Sequence, residues 1–215
     1  VKSNYTFMAN IAASVFDSQS DEYDSWFDNH PELFQNECKV LHKAIPAGTG
    51  VEIGVGTGRF AEVLKIPVGV EPAHSMAQMA IARGITVIKA KAEELPFHSL
   101  SFDYAIMITT VCFLDDIPKA FSEAHRIIKK NGYFIVAIID KESELGVQYE
   151  AMKASNPWYK DAHFHTTSEI TGLLEQAGFT SFEYWQTLFS DKPELTDPLP
   201  GFGKGSFVVI RSQKM

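Results

Sequence analysis

Apolar and polar positions along the chain change period several times, and each change marks an element. After a polar N-terminal stretch, Leu33, Phe34, Glu37, Cys38, Val40, Leu41, Ala44 and Ile45 form a mostly apolar stripe at three- and four-residue spacing, which predicts an amphipathic helix. Pro46-Ala47-Gly48-Thr49-Gly50 ends it and leads into the short apolar run Val51–Ile53, which stops at Gly54-Val55-Gly56-Thr57-Gly58. The alternation continues with a helix over Arg59–Leu64, a strand at Pro67–Val70, a helix from Ala73 to Arg83 capped by Gly84, and a strand at Ile85–Lys89. Ser101–Thr109 reads as a further strand. Ile117, Ala120, Phe121, Ala124, Ile127 and Ile128 then line one face of a helix that Asn131-Gly132 closes. Tyr133–Ile139 is apolar almost throughout, as expected of a central strand covered by helices on both faces.

From Asp140 to His165 the periodicity breaks down into a mixed segment holding Trp158, Tyr159, Phe164 and two histidines. Regular order returns at Thr166 and Glu169, whose spacing is that of a capping box, and Gly178 ends the helix they begin. Phe179–Phe189 and Ser206–Arg211 read as two strands joined by the Pro- and Gly-rich link Asp191–Gly205, a hairpin-like return rather than another helical crossover. The expected fold is therefore α/β: a Rossmann-like three-layer sandwich on a mostly parallel seven-stranded sheet whose last strand is antiparallel. Right-handed crossovers put the ligand cleft beyond the C-terminal strand ends, where the winding reverses, and the first glycine-rich turn sits at that edge.

Composition narrows the partners. The 215 residues suit one domain, 1–215, opening with a helical cover over 1–45. Nineteen Lys and Arg against 27 Asp and Glu leave a net charge of −8, which repels a polyanion, so no nucleic-acid partner is expected. The two cysteines, Cys38 and Cys112, form no CxxC pair and point to neither a disulfide framework nor a zinc knuckle. The first residues lack the pattern of a secretory signal, and the longest apolar runs fall short of the ~20 residues that cross a bilayer. A cytoplasmic protein without a membrane partner is expected.

Gly54, Gly56 and Gly58 let the backbone approach a ligand closely, and the helix that follows offers free amide donors. Glu71 ends the second strand, where an acid can accept from both hydroxyls of a ribose. Either feature alone is commonly just a close strand-to-helix connection or a solvated strand end; together they point to a nucleoside-bearing ligand. The dinucleotide fingerprint GxGxxG would need glycine where this chain has Arg59, which weakens a nicotinamide reading.

The segments VEIGVGTGRF, VGVEPAHSM, KAEELPFHSLSFD and AHRIIKKNGYFIVAI, in this order, closely resemble the class I S-adenosylmethionine-dependent methyltransferases, nearest to the branch of ubiquinone and menaquinone biosynthesis enzymes; the downstream LLEQAGF fits as well. The resemblance implies S-adenosylmethionine as cofactor and S-adenosylhomocysteine as product. It implies that Glu52, Gly54, Gly56 and Gly58 surround the methionine part, that Glu71 takes the ribose hydroxyls and that Met76 covers the adenine. Ala92 and Glu93 match the loop at the adenine edge, and Thr109 matches the strand end beside the methionine moiety. The family commonly has an acid just before the Ala-Glu pair, where this chain has Lys91, which offers no acceptor. Tyr23 and Trp26 resemble the family's aromatic lid; a helix packing two aromatics onto the core would look the same.

The resemblance implies in-line transfer of a methyl group to an O, N or C atom of a small acceptor, a reaction that depends largely on alignment and exclusion of water. Where the acceptor must lose a proton, His163 and His165 are the candidate bases, in the segment 140–166 where the family varies its substrate cover. Such a pair just ahead of a helix is also a common surface or capping arrangement. No further ligand cluster accompanies them, so no metal is expected. His74 and His98 read as surface residues, and Cys112, among Val111, Phe113 and Leu114, as packing. A small aromatic, quinone-like or amine acceptor suits the acidic chain. The alternatives are an NAD(P)-dependent oxidoreductase and a non-catalytic S-adenosylmethionine-binding protein.

Overall fold

Among the described residues, eight helices and eight strands are laid down in the order the periodicity predicts, with additions at the N-terminus and after the central strand. The computed structural model describes residues 11–190 and 197–215. Three helices come first: α1 (Ile11–Ser18), α2 (Ser20–Asn29) and α3 (Pro31–Ala44). The alternating core follows with β1 (Gly50–Ile53), α4 (Arg59–Leu64), β2 (Val68–Val70), α5 (His74–Ala82), β3 (Thr86–Ile88) and β4 (Phe102–Ile108). After a 3-10 turn at Val111–Phe113 come α6 (Ile117–Ile127), β5 (Ile128–Ile139), α7 (Glu144–Met152), a 3-10 turn at Lys153–Ser155 and α8 (Thr167–Gln176). The chain closes with β6 (Phe179–Thr187), β7 (Leu199–Pro200) and β8 (Phe207–Lys214).

The strands form one sheet in the order β3-β2-β1-β4-β5-β8-β6-β7. Strands β1 to β5 pair in parallel, whereas β8 runs antiparallel to both β5 and β6. The expected antiparallel last strand is present. The expected count of seven strands is corrected to eight, because the link after β6 contributes the two-residue β7, which pairs antiparallel with β6. Part of that link, residues 191–196, lies outside the described residues, as does the start of the expected N-terminal cover.

Alternation along each strand divides the interior into two layers. On β4, Ala105 and Met107 face a cluster with Phe121 and Ala124 of α6 and Ile170 and Leu174 of α8. Tyr104, Ile106 and Ile108 face the opposite cluster, with Leu41 of α3, Phe60 and Leu64 of α4 and Ala80 of α5. With helices on both faces of the sheet, the Tyr133–Ile139 part of β5 reads as a nearly continuous apolar run.

Two local readings change. Asn131-Gly132 does not close α6; that helix ends at Ile127 and passes directly into β5, where pairing with β4 slips between Phe102 and Tyr104 and Asn131 takes a left-handed φ of 62°. The pair accommodates an irregularity inside the strand, a position that asparagine tolerates. The mixed segment after β5 contains α7, started by Ser143, whose hydroxyl accepts from the Gly146 N–H at 3.0 Å. At α8 the expected capping box between Thr166 and Glu169 is formed in both directions.

Candidate functional site

The winding reverses between β1 and β4, and beyond their C-terminal ends lies a cleft of about 740 Å³. Of the residues expected around a cofactor, Tyr23, Gly54, Gly56, Glu71, Met76, Ala92, Glu93 and Thr109 border it, and Lys91 does too. Glu52 and Gly58 do not.

Glu71 is placed by backbone rather than by side-chain partners. One carboxylate oxygen accepts from the Gly56 N–H at 2.9 Å and the other from the Ala73 N–H at 2.9 Å. Each oxygen keeps a second lone-pair direction for a ligand hydroxyl. Burial pushes its carboxyl up to about 7, against the two amides, which favour the charged form. Gly56 has φ 55°, and a Cβ built on it would meet nothing within 4 Å, so the turn presents bare backbone to the cleft.

Gly58 has a different part. Its φ is 85°, and a Cβ there would lie 2.9 Å from the Ala80 Cα. The residue caps α4 and lets that helix pack directly on α5. Glu52 is 2% exposed on β1, and one of its carboxylate oxygens has no hydrogen-bond partner among the described residues. Burial, with the nearby charge of Glu71, holds its carboxyl well above the usual range. A buried acid without a partner is costly unless a cationic or donor group is meant to meet it.

At the adenine-edge loop, Glu93 is buried and accepts from the N–H groups of Asp115 and Asp116 at 3.0 and 3.3 Å, which ties that loop to the chain after β4. Lys91 places its ammonium 3.0 Å from the Asp115 carboxylate. Met76 is buried on α5 beneath the cleft.

Arg59, the residue that breaks the dinucleotide fingerprint, clamps the N-terminal helices onto the glycine turn. Its guanidinium donates to both oxygens of Asp24, at 2.9 and 2.6 Å, and to both of Asp28, at 2.8 and 2.7 Å. Arg83 reaches the same Asp24 at 2.8 Å and the Thr57 carbonyl at 2.7 Å. Burial of Asp24 raises its carboxyl, but hydrogen bonds led by Arg59 outweigh this and hold it below the ordinary value. Tyr23 is thereby fixed at the cleft, edge-on to Phe16 and to Phe27 with centroids 5.5 Å apart in each case.

Tyr23 and Thr109 also border a second cavity of about 950 Å³, walled by Trp26 and Phe27 of α2, Phe60 of α4, Tyr149 of α7, and Trp158 with Tyr159 from the loop before α8. The Asn156 side chain accepts from the Trp158 and Tyr159 N–H groups at 2.9 and 3.1 Å, fixing that loop in a turn. Glu37 of α3 faces this chamber, 7% exposed, with no hydrogen bond or ion pair among the described residues. Burial pushes its carboxyl up to about 8. The signal for it stood in the sequence, as a glutamate inside an apolar helical stripe.

Thr109 connects these spaces and a third, of about 360 Å³, bordered by Val111, Cys112, Ile138, Tyr159 and His165. Its φ of 49° is unusual for a β-branched residue and is held by its N–H donating to the Ala137 carbonyl at 2.9 Å. Of the two expected bases, His165 borders the third space, half-buried, its imidazole lowered by burial against the opposing pull of Glu169. His163 is exposed and borders none of the three cavities. Cys112 has its thiol pushed up to about 12 by burial, which suits packing rather than nucleophilic chemistry.

Known proteins resemble this chain over most of its length. The family described as a methyltransferase domain matches residues 51–136. The crystal structure of an S-adenosylmethionine-dependent methyltransferase of Thermotoga maritima, described as a possible histamine N-methyltransferase, is similar with a TM-score of 0.90 and 47% identity, covering 94% of this chain and 99% of that one. An uncharacterized protein of Methanocaldococcus jannaschii is 41% identical over 204 residues, which are 94% of this chain and 100% of that one. The malonyl-[acyl-carrier protein] O-methyltransferase of Geobacter sulfurreducens is 30% identical over 206 residues, 88% of this chain and 76% of its own.

Proposed function

The chain belongs to the class I S-adenosylmethionine-dependent methyltransferases, an enzyme family with S-adenosylmethionine as cofactor, and from that premise we propose that it methylates a small molecule held in the aromatic chamber. The observation that carries this reading is the junction at Tyr23 and Thr109, where the cofactor cleft and the chamber share two walls. A donor on one side and an acceptor on the other would meet there in line.

The residues of the cleft fit the cofactor. Glu71 keeps free lone pairs for the ribose hydroxyls, whereas Glu52, buried on β1 behind the cleft, would act on the cationic methionine end without bordering it. Gly54 and Gly56 would pass beneath that end, Gly58 acting through the packing of α4. Met76 would lie against the adenine, with Ala92 and Glu93 at its edge. The cofactor brings a methyl group already activated by positive sulfur. The protein's own work is then to orient, to exclude water and to accept a proton where the acceptor carries one. For a hydroxyl or carbon acid, His165 is the histidine placed to do so, since His163 faces outward. The small acceptor, and a single domain over 1–215 with its cover at 1–45 and its substrate segment at 140–166, belong to the same proposal. No helix among the described residues is long and apolar enough to cross a membrane.

The test is calorimetric titration with S-adenosylmethionine and S-adenosylhomocysteine, with NAD and NADP as controls. Micromolar binding of the sulfur compounds alone is expected. Binding of the nicotinamides alone would overturn the assignment of the cleft.

A further inference from the structure

Glu37 has no task in the scheme above, yet it is among the costliest groups in the molecule to bury. A carboxyl drawn into an aromatic interior without a protein hydrogen bond destabilises the fold unless it is neutral, hydrated or paired with a ligand. Its surroundings are aromatic: Tyr23, Phe27, Phe60, Tyr149, Trp158 and Tyr159 line the same chamber. Tyr149 and Tyr159 stack at 5.0 Å, and Trp158 meets Tyr23 edge-on at 6.4 Å. Trp158, in the same wall, has its Nε1 buried without a partner among the described residues. Ring faces attract cations, most strongly where water is excluded. An acid among aromatic rings matches one ligand chemistry: a basic amine.

The geometry points to an amine as the methyl acceptor, its nitrogen bound at Glu37 between the aromatic walls, and to Glu37 as the group that takes its proton. The inference rests on the proposed methyl transfer and names the substrate class of that same site. A protonated amine has no lone pair to attack with. In water an alkylammonium does not give its proton to a carboxylate, because their ordinary pKa values differ by roughly six units. Burial narrows the gap from both sides, raising the acid and lowering the ammonium. The ammonium R–NH3+ passes a proton to the Glu37 carboxylate and becomes R–NH2. The nitrogen lone pair then forms the N–CH3 bond as the S–CH3 bond breaks, and that bonding pair stays on sulfur as the neutral thioether. The product leaves as R–NH2+–CH3, and the proton on Glu37 goes to solvent when the chamber opens.

The groups facing Glu37 do not obscure its titration. Tyr23 of α2, Tyr149 of α7 and Tyr159 of the loop all have hydroxyls raised first by burial, and the neighbouring Cys38 thiol is pushed up to about 12. No basic side chain faces it among the described residues.

The experiment uses the full chain with radiolabelled methyl donor and two amine probes, histamine and 2-phenylethylamine, against the neutral isostere 2-phenylethanol. S-adenosylhomocysteine affinity is measured in parallel on every variant. The amines are expected to be methylated with kcat/KM at least tenfold above the alcohol. Glu37→Gln should lower kcat at least tenfold and remove the rise of rate with pH near 8, while leaving S-adenosylhomocysteine affinity unchanged; Glu37→Asp should recover part of the rate. Unchanged S-adenosylhomocysteine affinity also shows that each variant is folded. Equal use of the alcohol, full amine turnover in Glu37→Gln, loss of turnover in His165→Ala alone, or no amine turnover by a protein that binds S-adenosylhomocysteine would each overturn the inference. Failure to bind S-adenosylhomocysteine at all would instead overturn the methyltransferase reading beneath it.

Discussion

The cofactor cleft and the aromatic chamber share Tyr23 and Thr109 but are assembled in opposite ways. The cleft is made of strand ends and the tight turns that follow them, and Glu71 is held by two backbone amides, Gly56 and Ala73. The chamber is made of side chains brought from α2, α3, α4, α7 and the loop before α8, segments far apart in sequence. A site fixed by backbone depends on the fold alone and keeps its shape while surrounding side chains change. A site fixed by side chains on peripheral helices can be refashioned one residue at a time. That division suits an enzyme whose donor is constant and whose acceptor is particular to the chain.

The largest effect should come from the clamp that lies over both regions. Asp24 is the shared partner of Arg59 and Arg83, and Asp24→Ala leaves two mostly buried guanidinium groups only their more exposed acids, Asp28 and Glu62. We expect a loss of about 3 kcal/mol of stability. For a chain of this length that is a fall in Tm of roughly 6–12 °C, read by calorimetric unfolding. Because Tyr23 moves with α2, both the cofactor and the acceptor should bind more weakly. If one ligand alone were affected, the two sites would not share a cover.

Glu71→Ala separates the two regions. It removes the lone pairs offered to the ribose and should weaken S-adenosylhomocysteine binding by about 2 kcal/mol, with acceptor affinity in the chamber unchanged. The charge of Glu71 sets a pH dependence as well. Its carboxyl is raised to about 7, so on lowering pH through that value it gains a proton and loses acceptor capacity, and cofactor affinity should fall. The stability sign is the reverse: the folded state holds this proton more tightly than the unfolded chain, so stability drops as pH rises from the ordinary carboxylate range to about 7. Titrations of wild type and Glu71→Gln across pH 5.5 to 8.5 check both, since the variant should lose the slope.

The same contrast explains what could be read from the sequence. The glycine turn, the acid at the end of β2 and the capping box at Thr166 are local patterns set by backbone requirements over a few residues, and the structure places them where the periodicity does. The helix expected over Arg59–Leu64 has the same bounds in the structure. α7 was missed because its pattern is barely amphipathic and it carries Gly146 in its first turn. The short β7 depends on pairing across a link and leaves no local mark. In the chamber, Tyr149, Trp158 and Glu37 each look like ordinary helix or loop residues until the fold brings them together. Only Glu37 broke a rule on its own, as an acid in the apolar stripe of α3, and reading that stripe as a whole hid it. The histidine pair drew attention by residue type, yet alternation buries Ala162 and Phe164 and turns His163 outward.

The smallest expected effect tests whether the cleft is truly defined by bare backbone. Gly56 sits at φ 55° with open space where a side chain would go, so alanine meets no clash and pays only for the left-handed conformation. That cost is roughly 1–2 kcal/mol, at the lower end because nothing needs to move. The new methyl group would project into the cleft, so S-adenosylhomocysteine affinity should drop while acceptor affinity in the chamber holds. Gly58→Ala is the matched control: its Cβ would press on the Ala80 backbone, so it should lose more stability than Gly56→Ala and affect the cofactor less directly. A cofactor affinity untouched by Gly56→Ala would mean that the ligand does not approach this turn, and that Glu71 alone marks the nucleoside end of the site.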